Sequence, residues 1–579
     1  MKLIEALEIL RQPVADASPE FRAFLACGFE PLHLRTFIAA HLQRLNPGKR
    51  VKVEAGLFGD LCGNIERLNP ASADALIVVL EWGDLDPRLA VRNLGGWRPA
   101  DVNDAVECAN RAAARLERSI SQIAGRLATI VFLPSLPFPP LFSAPPDQAT
   151  AAELSLRRMV ASLAEMLSRH PAIRIANAQL LDENSPAAKR YDLKSDVNSG
   201  FPYSLQHASA AGESIAGLIW NRAPKKGLIT DLDDTLWAGI LGDDGVEGVS
   251  WTLNHGSHLH GLYQQFLASL ASAGVLVGVA SKNDRATVDL AFERQDLLIS
   301  PNDIFPIEAH WSGKSKSVER ILATWNVSAD SVVFIDDSRM ETAEVKASFP
   351  EMECIVFPKD DYAAFWSLLR HLRGVFGKAI LTGDDALRLS SIRDSAAWRD
   401  AGQSSAGVSD DFLKAAEACI TFDFAQAGDD ARAFELVNKT NQFNLNGKRF
   451  SEQQWKEYFA NPAAFLLTAS YKDKFGALGK VAVLVGSTHG RKVSLDSWVL
   501  SCRAFSRRIE YQCLRHLFDA LDADEAIFHY EATSRNTPLQ QFLRDLFGDE
   551  PIPDCTITRA RFDASAPALF HRVEGAVHV

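Results

Sequence analysis

GLITDLDDTLW, from Gly227 to Trp237, decides how this chain reads. GLIT has the length and apolar character of a short buried strand, and DLDDT follows it directly. Asp231 and Asp233 therefore fall at the carboxyl end of a parallel strand, where α/β sheets place their ligands. Spaced two apart in an extended turn, the two carboxylates can divide labour. One attacks a phosphorus centre or binds a cation, and the other exchanges a proton with the leaving oxygen.

Three more elements follow in order, each after a strand of its own: Ser281 in VGVASKND, Lys314 in HWSGKSK, and Asp336 with Asp337 in VVFIDDS. A hydroxyl to hold a phosphoryl oxygen, an ammonium to balance clustered carboxylates and a further acid at a strand end are what phosphoryl transfer through an aspartyl phosphate needs. Four acid-bearing loops converging for structural reasons alone would incur repulsion without benefit. The stretches from Thr235 to Ser281 and from Ser281 to Lys314 are consumed by the helices and strands read there, which leaves no room for a cap domain. An uncapped site suits a bulky or protein-borne substrate.

Outward from this motif the βα rhythm continues, with a helix through HGLYQQFLASLASAG and strands VLVGVAS and CIVF, giving a domain over 222–376. Residues 1–221 alternate β-branched runs (RVKVEAGLF, ADALIVVLEW, ATIVFLP, IRIANAQLL) with amphipathic stretches, the pattern of another parallel sheet. Its Pro-rich segment, Pro134 to Pro146, reads as a loop, beside a site rather than between domains. Residues 377–420 read as a helical connector. A third unit, 421–579, carries strands AFLLTASYKD, GKVAVLVGS, KVSLDSWVLS and EAIFHYEAT around a helix at Arg507 to Leu521.

Composition narrows the function class. At 579 residues the chain needs several domains of the usual ~150 residues. Its 47% hydrophobic and 23% charged residues are those of a folded chain. Sixty-one Lys and Arg against 73 Asp and Glu give a net charge of -12, the wrong sign for nucleic acid or anionic lipid. Eight scattered cysteines without a C-x-x-C pair, no signal region and no run near ~20 apolar residues point to a reducing, cytoplasmic enzyme. His255, His258 and His260 read as polar residues of a Gly/Ser-rich loop rather than metal ligands.

With DLDDT, ASKND, WSGK and FIDD in order, the chain resembles the haloacid dehalogenase superfamily. The resemblance implies a capless Rossmann-like phosphatase with Asp231 as nucleophile and Asp233 as general acid/base. Asp233 would also bind Mg²⁺ through its backbone carbonyl, Asp336 would be the further metal carboxylate, and Asp337 would support the metal shell. Ser281 and Lys314 complete the catalytic set, with Thr235, Lys282 and Asn283 at the substrate. The longer tract DLDDTLWAGILGDDGVEGV, with NKTNQFN, YKDKFG, WVLSCRAFSRRIE and TSRNTPLQQFLRDLFG downstream, looks like the FkbH-like branch of that superfamily. Members take a glyceryl unit from 1,3-bisphosphoglycerate and pass it as a thioester to the phosphopantetheine of an acyl carrier protein. A second lineage belongs to surface-polysaccharide pathways.

The third unit then looks like an N-acetyltransferase-type α+β fold, but the pyrophosphate-cradling turn reads Arg503, Ser506, Arg508 without its glycines, which puts coenzyme A in doubt. Arg503 and Asn441 are candidate substrate contacts. Cys502, at a strand end and helix start, is either an acyl-accepting thiolate or a small buried apolar residue. The polar run from Asn438 to Asn444 is either a capped turn or the lining of an acyl channel. The first unit resembles an SGNH-hydrolase-like (flavodoxin-like) α/β module. It has Cys27 near the nucleophile's place and Asp192 too far from His207 for the usual pair, and so reads as a degenerate binding or docking module. Three readings stand: a bifunctional Mg²⁺-dependent phosphatase and acyltransferase, a plain phosphatase, and a non-catalytic scaffold.

Overall fold

The computed structural model describes the chain apart from residues 15–17, 141–143, 146, 221–222, 379–380, 382–384, 386–387, 391, 394–409, 426–429, 475, 502–503, 506, 534 and 575–579, and the side chains of 411–412. Contacts divide it into two units, Met1–Ala223 and Pro224–Val579.

The first unit is a five-stranded parallel sheet of β1 (Glu20–Cys27), β2 (Arg50–Ala55), β3 (Ala75–Val79), β4 (Ala128–Phe132) and β5 (Ile173–Ile175), in the order β2-β1-β3-β4-β5. The interior strand β1, EFRAFLAC, was not among the strands read from sequence. Each central strand serves two cores, as a sheet covered on both faces must. Leu76 and Val78 of β3 pack with the helices Val102–Ala124 and Ala151–Ser168. Ile77 and Val79 pack with Leu32–Leu45 and Leu205–Ile219.

The second unit holds two sheets. One is parallel, of β6 (Gly227–Thr230), β7 (Leu276–Ser281), β8 (Ile304–Ala309), β9 (Val332–Asp336) and β10 (Glu353–Val356), in the order β10-β9-β6-β7-β8. The chain leaves β6 toward β7 on one side and reaches β9 on the other, so the order reverses at β6, the crevice position for ligands in such sheets. The helix Lys314–Trp325 closes tightly on this sheet because β6 and β7 present glycines to it. A Cβ on Gly227 or Gly278 would lie 2.5 and 2.8 Å from the Trp325 ring. Between β6 and β7 lie only the one-turn helix Leu241–Asp244, a 3-10 turn and the helix His258–Ser272, with a bridge between Ala238 and Ser250. Among the described residues, no inserted domain lies between these two strands.

The other sheet is mixed and seven-stranded: β11 (Cys419–Ala425), β12 (Ala464–Asp473), β13 (Gly476–His489), β14 (Lys492–Leu500), β15 (Glu525–Phe528), β16 (Cys555–Thr558) and β17 (Arg572–Glu574), in the order β16-β15-β14-β13-β12-β11-β17. The molecule is thus α/β throughout, with two Rossmann-like parallel sheets and one mixed sheet. β11 begins within the stretch read as helical connector, most of which lies outside the described residues. Among the described residues, no helix is long and apolar enough to cross a membrane.

Candidate active site

The second unit's parallel sheet gathers its acids around one ammonium. Lys314 opens its helix at the tip of β8, and its Nζ lies 2.7 Å from Asp231 Oδ1, 2.6 Å from Asp336 Oδ2 and 2.8 Å from Glu341 Oε2. Lys314 is 1% exposed and Asp336 is fully buried. Burial opposes the ammonium, but three carboxylates outweigh that and hold its pKa above the ordinary lysine value. Burial pushes the Asp231 carboxyl up to about 7, with Lys314 opposing and Asp336 adding repulsion. Asp336 rises to about 6, again through burial against the pull of Lys314. Asp336 also accepts the Ser338 amide at 2.8 Å.

Asp233 is held by three donors. Trp237 Nε1 at 3.0 Å and the Leu241 amide at 3.1 Å reach Oδ1, and Asn283 Nδ2 reaches Oδ2 at 2.9 Å. The same Asn283 amide lies 3.0 Å from Ser281 Oγ, leaving the serine O–H as a donor for a phosphoryl oxygen. Lys282 pairs with Glu341 at 2.8 Å. Thr235 is fully buried and its Oγ1 accepts the Asp337 amide at 3.1 Å, tying the first and last acidic loops together.

Asp337 turns elsewhere: its carboxylate pairs with Lys359 at 3.0 Å, which also holds Asp234 at 2.7 Å. The carboxylate oxygens that converge within 4.8 Å belong to Asp231, Asp336 and Glu341. Glu341 is absent from the sequence-based set. These are hard oxygen donors, and three acids against the ammoniums of Lys314 and Lys282 leave surplus negative charge, which suits a divalent cation such as Mg²⁺. His260 is no loop residue. It is buried, with Nδ1 2.9 Å from the Thr235 carbonyl oxygen and its ring against Phe357.

The third sheet answers part of the Asn438–Asn444 question. Its inner side is structural: the Asn438 side chain accepts the Phe450 amide at 2.9 Å, while buried Asn444 receives the amides of Asn446 and Gly447. The adjoining Leu445 bonds to Trp498 of β14 and accepts from Glu531, which wedges this segment beside β14. Its outer side, Lys439 to Gln442, lines a cleft of about 700 Å³ with Trp325, Asn326 and Ser501. Gln442 and Asn326 exchange paired amide bonds at 3.1 and 2.9 Å, and Asn441 Oδ1 accepts Arg449 at 2.6 Å. Cys502 and Arg503 lie outside the described residues. Arg508 begins the helix Ile509–Ala520 with φ +58 and pairs with Asp410 at 2.7 Å.

In the first unit Asp192 and His207 do not pair. Asp192 caps the helix Leu193–Ser199, while His207 lies 3.0 Å from Ser135 Oγ and 2.9 Å from Ser185 Oγ. The Ser135–His207 contact resembles a nucleophile and its base, but Ser135 Oγ also gives its proton to Glu81 at 2.7 Å. Glu81 accepts from the Ser135 and Leu136 amides and from Tyr203 OH as well. With its proton committed to Glu81, Ser135 can only accept from His207, so the imidazole has no lone pair aimed at it. Cys27 is buried, donates to the Phe29 carbonyl, and has its thiol pKa pushed up by burial, opposite to an activated nucleophile.

No family model and no curated protein matches the chain. Among solved structures it is similar to the N-terminal part of the protein BF1531 from Bacteroides fragilis, containing a phosphatase domain complexed with Mg. That match has 20% identity and a TM-score of 0.50, and covers 66% of this chain and all of that one. At that identity the likeness speaks to the fold. A phospholipase A1 from Streptomyces albidoflavus NA297 aligns at 15% identity over 35% of this chain and 98% of its own, but its TM-score of 0.24 carries no argument.

Proposed function

We propose that the chain is a Mg²⁺-dependent phosphatase or phosphotransferase of the haloacid dehalogenase type, working through an aspartyl phosphate on Asp231. The observation that carries this reading is the Lys314 ammonium set among Asp231, Asp336 and Glu341 at the sheet's reversal point, with Ser281 and the clamped Asp233 beside it. The phosphatase domain with Mg in the Bacteroides protein agrees with it.

When bound by Asp231, the Asp233 backbone carbonyl and Asp336, with Glu341 as a further oxygen, Mg²⁺ would supply charge to the phosphoryl oxygens and to the nucleophile. The chain's own groups do the rest. An Asp231 oxygen forms a bond to phosphorus as the ester P–O bond breaks, and Asp233 gives its proton to the departing oxygen. Ser281 and Lys314 hold the phosphoryl oxygens. Water then attacks the phosphoenzyme, its proton passes to Asp233, and Asp231 is restored. Asn283 and Trp237 fix Asp233 within reach of both steps. Phosphate release from p-nitrophenyl phosphate with Mg²⁺, compared between wild type and Asp231→Asn, tests the assignment, and turnover retained in the variant refutes it.

The finer reading is acyl transfer of a glyceryl unit from 1,3-bisphosphoglycerate to a carrier protein's phosphopantetheine, with Cys502 as way station. Its support is the cleft lined by Asn441 and Ser501, whose other wall is the amino end of the parallel sheet, Lys226 and Leu276. That end lies a strand length from Asp231, about 16 Å over the five residue steps from Lys226 at ~3.3 Å each, which favours a substrate on a swinging arm over a free one. Intact mass of a carrier protein after incubation with enzyme, Mg²⁺ and 1,3-bisphosphoglycerate decides it. Phosphate release without any adduct leaves the plain phosphatase.

A further inference from the structure

The first unit has its own crevice at the carboxyl ends of β1 and β3, the reversal point of that sheet, with a volume of about 680 Å³. Phe29, Phe58 and Trp82 supply aromatic surface to its walls. Its acids are Asp60, Glu81, Asp84 and Asp196, and its bases are Arg92 and Arg115.

Two ligand classes are excluded by these groups. A phosphate or carboxylate ligand finds its two arginines engaged, Arg115 with Glu66 at 2.9 and 2.6 Å and Arg92 over the Phe58 ring. A cation finds no naked carboxylate, because each already has partners. Asp60 pairs with Arg67 at 2.8 Å, Asp196 accepts Tyr191 OH at 2.8 Å, Glu81 is satisfied as described, and Asp84 accepts the Glu81 amide at 2.8 Å. What remains is a neutral ligand with apolar faces for the rings and hydroxyls for the leftover lone pairs. We propose that this crevice binds a neutral saccharide.

Binding there is without cleavage. A Cβ at Gly28, beside the expected nucleophile position, would sit 1.7 Å from Asp84 Oδ1, so the Asp84 carboxyl fills the space a side chain at 28 would use. Burial pushes that carboxyl up to about 7, which lets it both donate to and accept from hydroxyls near neutral pH.

The test is calorimetric titration of the full chain with glucose, N-acetylglucosamine and maltose, against glucose 6-phosphate and glucosamine as charged counterparts. At least one neutral sugar should bind more tightly than either charged one. Phe58→Ala, at a wall residue that is itself 58% exposed, should weaken that binding about two- to tenfold. Asp84→Asn should weaken it further while leaving the unfolding transition in place. Silence from all three neutral sugars, or glucose 6-phosphate binding as well as glucose, overturns the proposal.

Discussion

The two parallel sheets reach their carboxyl ends with the same architecture and different partners for their buried acids. In the first, the buried acid Glu81 is met by two backbone amides and two hydroxyls, and burial pushes the His207 imidazole down to about 3, so that it stays neutral. In the second, Asp231, Asp336 and Glu341 share Lys314 and a second lysine at the edge. In the first crevice Glu81 is met by neutral donors, whereas in the second the acids are met by lysine ammoniums. On the proposed function, that difference, more than the fold, marks where a cation and a phosphoryl group would belong.

The contrast breaks most visibly at the nucleophile. Asp231→Asn should lower phosphate release at least about a thousandfold, while Ser135→Ala in the first unit should leave it within about twofold. Equal losses in both variants would show that the two crevices are not functionally distinct. Next comes the hub: Lys314→Ala takes the ammonium from buried Asp231 and Asp336, leaving Glu341 to Lys282, and should cost the second unit about 3–5 kcal/mol, read by urea unfolding. The matching change in the first unit, Glu81→Gln, keeps the shape but loses a charged acceptor for four donors, and should cost about 1–3 kcal/mol in that unit's transition alone.

A further test is in pH. The carboxyls of Asp231 and Asp336 titrate near 7 and near 6 in the fold, against an ordinary value of 3.8. The folded state therefore holds more protons than the unfolded one across that window. Without divalent cation the second unit should lose stability as pH rises from about 4 to about 7, and Mg²⁺ should flatten the slope. A stability curve rising over the same interval in EDTA would contradict the buried-acid picture.

Much of the second unit was legible because its chemistry is local: the acids and the hydroxyl follow strands that announce themselves by apolar runs, and Lys314 opens the helix after β8. Glu341 was missed because its sequence signal belongs to another job. SRME, Ser338 to Glu341, has the spacing of a helix-capping pair, and Ser338 does cap the helix Arg339–Ser348, but the glutamate side chain leaves the cap for Lys314 and Lys282. His260 was misread because its Gly/Ser-rich flanks imitate a loop. The first unit's network was unreadable, since Glu81, Ser135, Ser185, Tyr203 and His207 come from loops and helices with no shared motif. The wedge at Asn444 depends likewise on pairing with distant β14 and Glu531.

Lys314 has one more consequence, for the life of the polypeptide before any ion reaches it. A zinc finger without metal stays unfolded because its ligands repel or find no partner. Here a covalently attached cation keeps the acids company from the moment the helix docks. On the Mg²⁺-dependent reading proposed above, the chain would finish folding in a magnesium-poor compartment and be loaded afterwards, so scarcity of the ion would stop turnover without sending the protein to the proteases.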